Sequence, residues 1–486
     1  MRAGPSVALA ALAALAAVAC SPDGTRPPPP VPVVRVTITA PDTAGLIGRT
    51  LTLNATAYDS AGAPVPGATF SWRALFNSTR GTVDSLGQVR LGPSGGDFLV
   101  AATEPVSGRA DTVGLHAARE GELKWVLALG DSTSNVGGPA LGPDGTISVL
   151  TLPNPSGAEL ADLHLVSSYG RELWRLRLDR TGYNAHLTGP DGTIYVAGRT
   201  VRAISPLGAI RWSHIMWGAS AAVFITAALA PGGPLVVAGE NSPLALDLAT
   251  GDTVWGGPVS PIGAWLVPPT IAGGTVWIKK TEDSLYAFNL ATGQIGRRIA
   301  DADSGGDKRT FGVGPVPVGG TVYLPLKYRL AAVDTSGVLQ WLTPGRGTGV
   351  SEPVIDGNGR LFVQTQDGLV ARDALTGAQL WLRNAGRPRW GWYGGPALAQ
   401  GGTIYCAALD GFYVYNTGGT LLWSYQTNEA GANPVPFTGA PVIAPDGTVY
   451  TYTDTALYAF WGLYQPEPNS PWPMWRHDAQ RTGRAR

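Results

Sequence analysis

The side chains that most often hold metals or attack substrates are thinly spread along this chain. Of its 486 residues, five are histidine and two are cysteine. The histidines are His116, His164, His186, His214 and His477. No two of them stand four residues apart, the spacing with which paired histidines on one helix bind zinc. We therefore predict no metal site and assign no catalytic residue.

Two short segments are rich in oxygen ligands and could bind a hard cation. They are DADSGGD, residues 301–307, and the turn DGNG, residues 356–359. Neither fits the twelve-residue loop that binds calcium between two helices. We interpret both as solvated turns.

Large aromatic side chains recur in the segments that connect successive repeats of the chain, and they are candidates for binding. The densest segment is RPRWGWYGG, residues 387–395, with two arginines and three aromatic residues. Tryptophan, tyrosine and arginine dominate the binding energy of protein interfaces. The predicted binding residues are Trp217, Trp265, Phe311, Arg387, Arg389, Trp390, Trp392, Tyr393 and Phe437. An equally weighted alternative is that these side chains cap a hydrophobic core.

The elements that must position these segments are eight copies of one hairpin pattern. Each copy is an apolar strand, a glycine turn and a second strand, as in PALGPDGTISVL (139–150) and PVIAPDGTVYTYT (441–453). The turn glycines, spaced 39 to 47 residues apart, are Gly145, Gly192, Gly233, Gly274, Gly320, Gly359, Gly402 and Gly447. That period suits four strands per repeat, and hence the blade of a β-propeller.

A second pattern runs in phase with the hairpins: a glycine followed four residues later by tryptophan. The tryptophans are Trp125, Trp174, Trp212, Trp255, Trp341, Trp381 and Trp423, and at the remaining position Gly293 is followed by Arg297. The fullest copies are ALDLATGDTVW (245–255) and ARDALTGAQLW (371–381). This pattern resembles the tryptophan-docking motif of the quinoprotein-type, or PQQ-like, propeller family, to which the BamB-type assembly lipoproteins also belong. The resemblance implies an eight-bladed β-propeller over residues 119–486, with these tryptophans docking one blade on the next.

The same family contains quinone-dependent dehydrogenases, so the resemblance also raises an enzymatic function. The alcohol-oxidising members carry an adjacent cysteine pair on the cofactor, whereas the repeats here contain only Cys406. Repeats of 39 to 47 residues leave little room for loops that hold calcium and a quinone. We expect no cofactor and no catalysis, and we interpret Cys406 as a small buried thiol.

Both ends of the repeat region carry further signals. GELKW, residues 121–125, precedes the first hairpin and is expected to supply the outer strand of the last blade, which removes the exposed sheet edges. The tail SPWPMWRHDAQRTGR (470–484) resembles a segment at the ends of such propellers. There Trp472 and Trp475 are expected to pack against the closure, and Arg476 to pair with Asp478. A catalytic role for His477 and Asp478 is the less favoured alternative.

The N-terminus has the pattern of a targeting segment. Residues 1–19 read as a signal peptide, with an apolar run over 7–18, and AVAC (17–20) resembles a bacterial lipobox. That resemblance implies acylation of Cys20, and ordinary signal cleavage is the alternative. Residues 20–32 form a proline-rich tether that favours polyproline II.

Residues 33–118 are predicted to form a small all-β domain. The phrase TLTLNATAYDSAGAPVPGATFSW resembles bacterial Ig-like domains of the second group. This implies a β-sandwich with Trp72 in its core. The overall fold class is therefore all-β, with an Ig-like sandwich preceding the propeller.

Charge excludes one class of partner. Acidic and basic residues balance at 35 each and make up 14% of the chain, so there is no basic footprint for nucleic acid. We expect a bacterial outer-membrane lipoprotein, periplasmic or surface-exposed, held to the membrane by its lipid anchor. Its propeller is expected to bind an envelope protein as a scaffold, and outer-membrane assembly is one process in which such a scaffold acts. The alternatives are adhesion or glycan binding at the cell surface, and a divergent quinone-dependent dehydrogenase.

Overall fold

The computed structural model describes residues 31–75, 79–130, 138–151, 160–179, 186–216, 226–230, 232–238, 243–256, 267–280, 284–300, 313–326, 329–344, 350–384, 394–427 and 435–485. The chain divides into two compact units, Met1–Ala117 and Ala118–Arg486. Every regular element in the described ranges is a β-strand. Those ranges contain no helix long and apolar enough to cross a membrane.

Short strands make up the described part of the N-terminal unit. They are β1 (Arg35–Thr39), β2 (Ala44–Leu46), β3 (Thr50–Thr52), β4 (Asn54–Tyr58), β5 (Ser71–Leu75), β6 (Gly81–Val83), β7 (Gln88–Leu91), β8 (Gly96–Thr103) and β9 (Ala110–Ala118). Strands β2, β9, β8 and β5 form one sheet in that order, β3, β7 and β6 form a second, and β1 pairs with β4.

Apolar side chains of the two larger sheets meet in the core of the N-terminal unit. Phe98 and Val100 alternate with exposed residues along β8, the period of two that a half-buried strand shows. They pack with Val89 and Leu91 of β7, and Trp72 lies half-buried against the same cluster. The assignment of this unit to the bacterial Ig-like domains stays a prediction.

The described strands of the C-terminal unit group into eight four-stranded sheets with antiparallel neighbours. Sheet 1 comprises β11 (Ala140–Leu141), β12 (Ile147–Thr151), β13 (Leu160–Val166) and β14 (Glu172–Asp179). Sheet 2 comprises β15 (His186–Thr188), β16 (Ile194–Val196), β17 (Thr200–Ile204) and β18 (Ile210–Ile215). Sheet 3 comprises β19 (Thr226–Leu229), β20 (Leu235–Ala238), β21 (Leu244–Leu246) and β22 (Thr253–Gly256). Sheet 4 comprises β23 (Thr270–Ala272), β24 (Thr275–Lys279), β25 (Leu285–Asn289) and β26 (Ile295–Ile299).

The remaining four sheets repeat this order. Sheet 5 comprises β27 (Val316–Val318), β28 (Thr321–Pro325), β29 (Leu330–Asp334) and β30 (Leu339–Leu342). Sheet 6 comprises β31 (Val354–Ile355), β32 (Arg360–Thr365), β33 (Gly368–Asp373) and β34 (Gln379–Arg383). Sheet 7 comprises β35 (Ala397–Ala399), β36 (Thr403–Ala408), β37 (Gly411–Asn416) and β38 (Leu421–Tyr425). Sheet 8 comprises β39 (Val442–Ile443), β40 (Val449–Tyr452), β41 (Ala456–Phe460) and β10 (Leu123–Ala128).

The ring of sheets closes through strands from the two ends of the unit. Strand β10 pairs antiparallel with β41, so that Trp125 lies opposite Ala459 and Ala128 opposite Ala456. It occupies the outer position of sheet 8, the place that the sequence predicts for GELKW. Successive sheets contact each other through their first strands, as β11 contacts β15 and β15 contacts β19. We therefore call the first strand of each sheet its inner strand and the fourth its outer strand.

Burial follows position in the sheet, as a propeller requires. Strands β12 and β36 are buried at every residue, because their sheets are covered on both faces by neighbouring sheets. Outer strands are largely exposed, as in β26. The predicted turn glycines have positive φ in seven of the eight hairpins. In the third hairpin Gly232 takes that conformation, and Gly233 lies in the same turn, where its N–H donates to the Ala230 carbonyl at 3.3 Å.

The outer strand of each sheet carries the same irregularity beside its docking position. In sheet 2, Ala203 lies opposite Trp212 and Ile204 lies opposite Ile210, so Arg211 is an extra residue. The register shifts at the corresponding place in all eight sheets. Such a β-bulge bends its strand and re-aims a side chain. The bend explains why the residue after the bulge, Trp212 in sheet 2, faces the neighbouring sheet.

Candidate functional site

Tryptophan side chains join each sheet to the next around most of the ring. Six indole Nε1–H groups donate to a backbone carbonyl in the following sheet. The pairs are Trp125 with Ser168, Trp174 with Pro206, Trp212 with Leu248, Trp255 with Leu290, Trp341 with Ala374 and Trp381 with Thr417, at 2.7 to 3.1 Å. Each bond satisfies the one polar atom of a largely buried ring and so offsets the cost of removing that atom from water.

The glycine of the motif is required for a steric reason. Gly251 has a φ of 76°, and a Cβ built on it would lie 2.6 Å from the ring of Trp212. Gly170 stands in the same relation to Trp125. A side chain at either position would displace the indole, and the left-handed backbone would itself be strained. The glycine and the tryptophan of neighbouring repeats are therefore one contact.

The position without tryptophan is filled by a different residue. Arg297 lies exposed on β26, whereas Ile299, two residues on, is 4% exposed. A Cβ on Gly337 of sheet 5 would lie 3.2 Å from Ile299 Cγ1. Ile299 thus covers the glycine that an indole covers at six other seams, and the Arg383 guanidinium covers Gly419 in the same way. Sequence reasoning missed Ile299 because it looked only at the fourth residue after the glycine.

At the seam between sheets 7 and 8, the indole lies beside a carboxyl group instead of bonding to a carbonyl: Trp423 Nε1, the Tyr405 hydroxyl and Glu120 Oε1 are buried there without a hydrogen-bond partner among the described residues. The ring of Trp423 lies against Gly121, as the motif requires. Its Nε1 and the Tyr405 hydroxyl both lie beside Glu120. Burial raises the pKa of Glu120, and these two donors only partly offset that effect.

Residues 470–485, which we call the C-terminal segment, run along the inner strands of the ring. Backbone N–H groups on six inner strands donate to its carbonyls at 2.7 to 3.0 Å. The pairs are Leu141 with Ala479, Thr188 with Gln480, Leu229 with Thr482, Ile271 with Gly483, Ile355 with Trp472 and Leu398 with Pro473. The segment thereby satisfies backbone donors at inner-strand edges, which would otherwise lie unpaired in the channel that these strands surround.

Glu352 is the main acceptor for this segment. It is fully buried and precedes β31. Its Oε1 accepts from the Trp472 indole at 3.0 Å and from the Arg476 backbone at 2.7 Å, and its Oε2 accepts from the Gly314 backbone at 3.3 Å. Burial raises the pKa of Glu352, although Arg476 and these donors act in the opposite direction.

Arg481 ties the segment to the opposite part of the ring. Its guanidinium donates to the carbonyls of Pro139, Trp475 and Ala440 at 3.0, 2.8 and 2.7 Å. It also stacks over the Trp475 ring at 4.9 Å. Burial lowers the pKa of Arg481 to about 10, so it remains charged at neutral pH.

Two expectations for the tail are wrong. Trp472 packs with Val316, Ile355 and Leu361 of sheets 5 and 6, not at the closure in sheet 8. Asp478 accepts hydrogen bonds from the Thr482 backbone and hydroxyl instead of pairing with Arg476. The physical reason is the same for both: backbone pairing with the inner strands carries the segment across the ring.

Most of the predicted binding residues lie outside the described part of the chain. These are Trp217, Trp265, Phe311, Arg387, Arg389, Trp390, Trp392 and Tyr393. The segment 385–393 connects the outer strand β34 to the inner strand β35. Its described flank, Gly394, accepts a hydrogen bond from the Glu352 backbone at 3.2 Å. That flank therefore lies beside the C-terminal segment.

Phe437 is a core residue, not a contact surface. It is 1% exposed and its ring packs within 5.6 Å of Phe412 and 5.1 Å of Tyr458. For this residue the core-capping alternative is correct. The aromatic rings of β37 and β41 enclose it, and sequence spacing alone does not distinguish that environment from an exposed one.

Three of the four histidines of the C-terminal unit have hydrogen-bond partners, whereas neither ring nitrogen of the buried His477 has one among the described residues. The buried His164 is held between Glu172 at 2.6 Å and Thr151 at 2.9 Å, and burial is the largest cause that lowers its pKa. His186 contacts the Ser148 carbonyl at 2.9 Å, and burial lowers its pKa to about 4. Cys406 is fully buried, which raises the pKa of its thiol. No cluster of three or more metal-ligating side chains occurs in the described ranges.

Solved structures with the same architecture support the fold. The crystal structure of BamB from Moraxella catarrhalis matches with a TM-score of 0.50 and 16% sequence identity, over 69% of this chain and 99% of that one. The computationally designed Ika8 protein matches with a TM-score of 0.52 and 14% identity, over 70% of this chain and 99% of that one. These likenesses establish a β-propeller fold. A search of curated proteins finds no match.

The sequence itself matches one protein-family model in three overlapping stretches. They are residues 109–261, 197–387 and 366–473, which together span most of the chain. All seven docking tryptophans and Ile299 lie within them. The chain belongs to the family described as outer membrane protein assembly factor BamB.

Proposed function

We propose that this protein is a lipid-anchored protein of the bacterial cell envelope whose eight-bladed propeller binds other proteins and catalyses no reaction. The family it belongs to is named for outer-membrane protein assembly, which favours a protein partner in the envelope. The eight four-stranded sheets, closed by β10, supply the eight blades. The partner is a component of outer-membrane protein assembly.

The observation that carries the proposal is the course of the C-terminal segment. It bonds to the inner strands of six sheets, and its side chains Trp472, Met474 and Arg476 are at most 1% exposed. A quinone or other planar cofactor on the propeller axis would compete with these buried side chains for space. A binding role therefore falls to the outer surface and to the segments that connect the sheets.

His164 and His186 fit a structural role better than a catalytic one. Both ring nitrogens of His164 are engaged, and His186 is buried and neutral at physiological pH. A general acid or base has to reach a substrate and to titrate near the operating pH. Neither histidine meets both conditions.

The anchor and the binding segment are proposed from sequence. The anchor is Cys20, followed by the tether 20–32 and the Ig-like domain 33–118. The binding segment is 387–395. A proline-rich tether extends by about 3 Å per residue and holds a domain away from its membrane. Trp390, Trp392 and Tyr393 offer large rigid contact surfaces, and Arg387 and Arg389 can pair with carboxylates.

Crosslinking in intact cells tests the proposal. A photo-crosslinking amino acid placed at Arg389 should capture envelope proteins of outer-membrane protein assembly, whereas the same group at Arg297 on the outer strand serves as the position control. Retention of polysaccharide instead of protein would show an adhesin. Dye reduction that depends on added quinone and calcium would show an enzyme and overturn the proposal.

A further inference from the structure

Arg476 is a buried cation without an adjacent anion. Its side chain is 1% exposed, and its Nη2 donates to the carbonyls of Ala227 at 2.8 Å and Pro269 at 2.7 Å. Its Nη1 has no hydrogen-bond partner among the described residues. A guanidinium stays charged in proteins, and buried charges are normally paired. One face of this group therefore lacks the acceptor it requires.

Glu352 is the carboxylate with the largest electrostatic effect on Arg476, but its oxygens accept hydrogen bonds from other donors. These donors are the Trp472 indole and the backbones of Arg476 and Gly314. Within the described ranges, no carboxylate oxygen forms an ion pair with the Arg476 guanidinium. The charge is thus met only by two neutral carbonyl groups at direct contact.

A second unpartnered group faces the same place. Thr270 is fully buried on the inner strand β23, and its Oγ1 has no hydrogen-bond partner among the described residues. A Cβ built on Gly314 would lie 3.1 Å from Thr270 Oγ1 and 3.1 Å from Arg476 Nη1. Thr270 Oγ1 and Arg476 Nη1 are therefore separated by no more than the sum of these two distances. One bound acceptor can contact both, beside the Pro268 carbonyl, whose oxygen would lie 2.9 Å from the same Cβ.

The backbone holds Arg476 in this place at an energetic cost. Arg476 and His477 have φ angles of 60° and 76°, in the left-handed region that non-glycine residues rarely adopt. Such residues cost about 1 kcal/mol or more each and often mark functional positions. The glycine at 314 leaves the space beside Nη1 free of a side chain.

We propose that Arg476 Nη1 and Thr270 Oγ1 bind a chloride-sized monovalent anion beside Gly314, between the inner strands of sheets 4 and 5. Both atoms can act as donors, and one belongs to a permanent cation, so a negatively charged acceptor fits them better than water does. The anion neutralises Arg476 and fastens the C-terminal segment to the ring. This site is independent of the proposed partner-binding segment 387–395.

Chloride titration tests this site without a variant that removes Arg476. At constant ionic strength, with gluconate replacing chloride, the melting temperature of the wild-type protein should rise with chloride and then saturate. Thr270→Val keeps the side-chain shape and removes the hydroxyl, and it should raise the half-saturating chloride concentration about tenfold or more. Thr226→Val, which removes another unpartnered buried hydroxyl, should leave that concentration unchanged.

Crystals grown in bromide supply the direct readout. An anomalous peak beside Arg476 Nη1 and Thr270 Oγ1 is expected. A water molecule in its place would overturn the proposal. So would a melting temperature independent of chloride, or equal shifts in the two threonine variants.

Discussion

The backbone N–H of Arg476 donates a 2.7 Å hydrogen bond to Glu352 Oε1, which joins residues 124 positions apart in the chain. The same carboxylate oxygen accepts from the Trp472 indole. One buried acceptor therefore positions both Trp472 and Arg476 in the C-terminal segment. Closure of the ring therefore rests on two devices. One is the pairing of β10 with β41, and the other is the C-terminal segment.

Trp472 should be among the most costly residues to truncate. It is 0% exposed and loses both its packing and its bond to Glu352 in Trp472→Ala. We expect a loss of about 3–5 kcal/mol in the free energy of unfolding. Tyr464→Ala, at a 41% exposed position before the segment, should cost far less. Similar losses in a denaturant titration would contradict the locking role of the segment.

At the docking position without tryptophan, alanine substitutions should lower the free energy of unfolding in an unusual order. Trp255→Ala should cost about 3 kcal/mol or more, and Arg297→Ala well under half of that. Ile299→Ala should cost more than Arg297→Ala, because Ile299 is the buried residue that covers Gly337. Equal losses for Ile299→Ala and Arg297→Ala in chemical denaturation would show that no substitute contact exists there.

His186 should make the protein sensitive to acid. Burial lowers its pKa from 6.5 to about 4, so the unfolded chain binds a proton in this interval and the folded chain does not. The stability of the wild-type protein should therefore fall as the pH drops from 6.5 to about 4, by about 3 kcal/mol from this group.

The matched variant for this effect is His186→Gln, whose amide can still donate to the Ser148 carbonyl. Its unfolding free energy should lack this part of the pH dependence. Parallel curves for the two proteins between pH 7 and 4 would rule out His186 as the source.

Cys20→Ala should move the protein from the membrane fraction to the soluble fraction, because an acyl chain can no longer be attached. The nearby Ser21→Ala variant is the control and should remain with the membranes. If both variants fractionate like the wild type, the anchor assignment is wrong.

The repeat architecture was predictable because two periodic signals agree. The phased motif indicates that Trp125 docks on the next sheet, as the structure shows, whereas its contact with Gly170 is visible only in the structure. Ile299 was not predictable, since its role depends on a strand position that only the register reveals. The course of the C-terminal segment was also missed, because its contacts are largely backbone bonds and leave little trace in residue type.

The candidate site was less predictable than the fold. Phe437 has the same aromatic character as the residues expected at a binding surface, but neighbouring rings enclose it. Thr270 and Gly314 carry no motif at all, and their importance follows from the position of Arg476. Side-chain type indicates what a residue can bind, whereas exposure depends on contacts distant in sequence.

We propose that the segment 387–395 binds a protein partner in the envelope. Its most direct test is capture of crosslinked partners by the double variant Trp390→Ser and Trp392→Ser, with its melting temperature measured alongside. We expect a marked loss of capture at an unchanged melting temperature, while Tyr169→Ser, at an aromatic position 72% exposed in sheet 1, retains both. Unchanged capture with a lowered melting temperature would show that the two tryptophans cap the core, and it would contradict the claim.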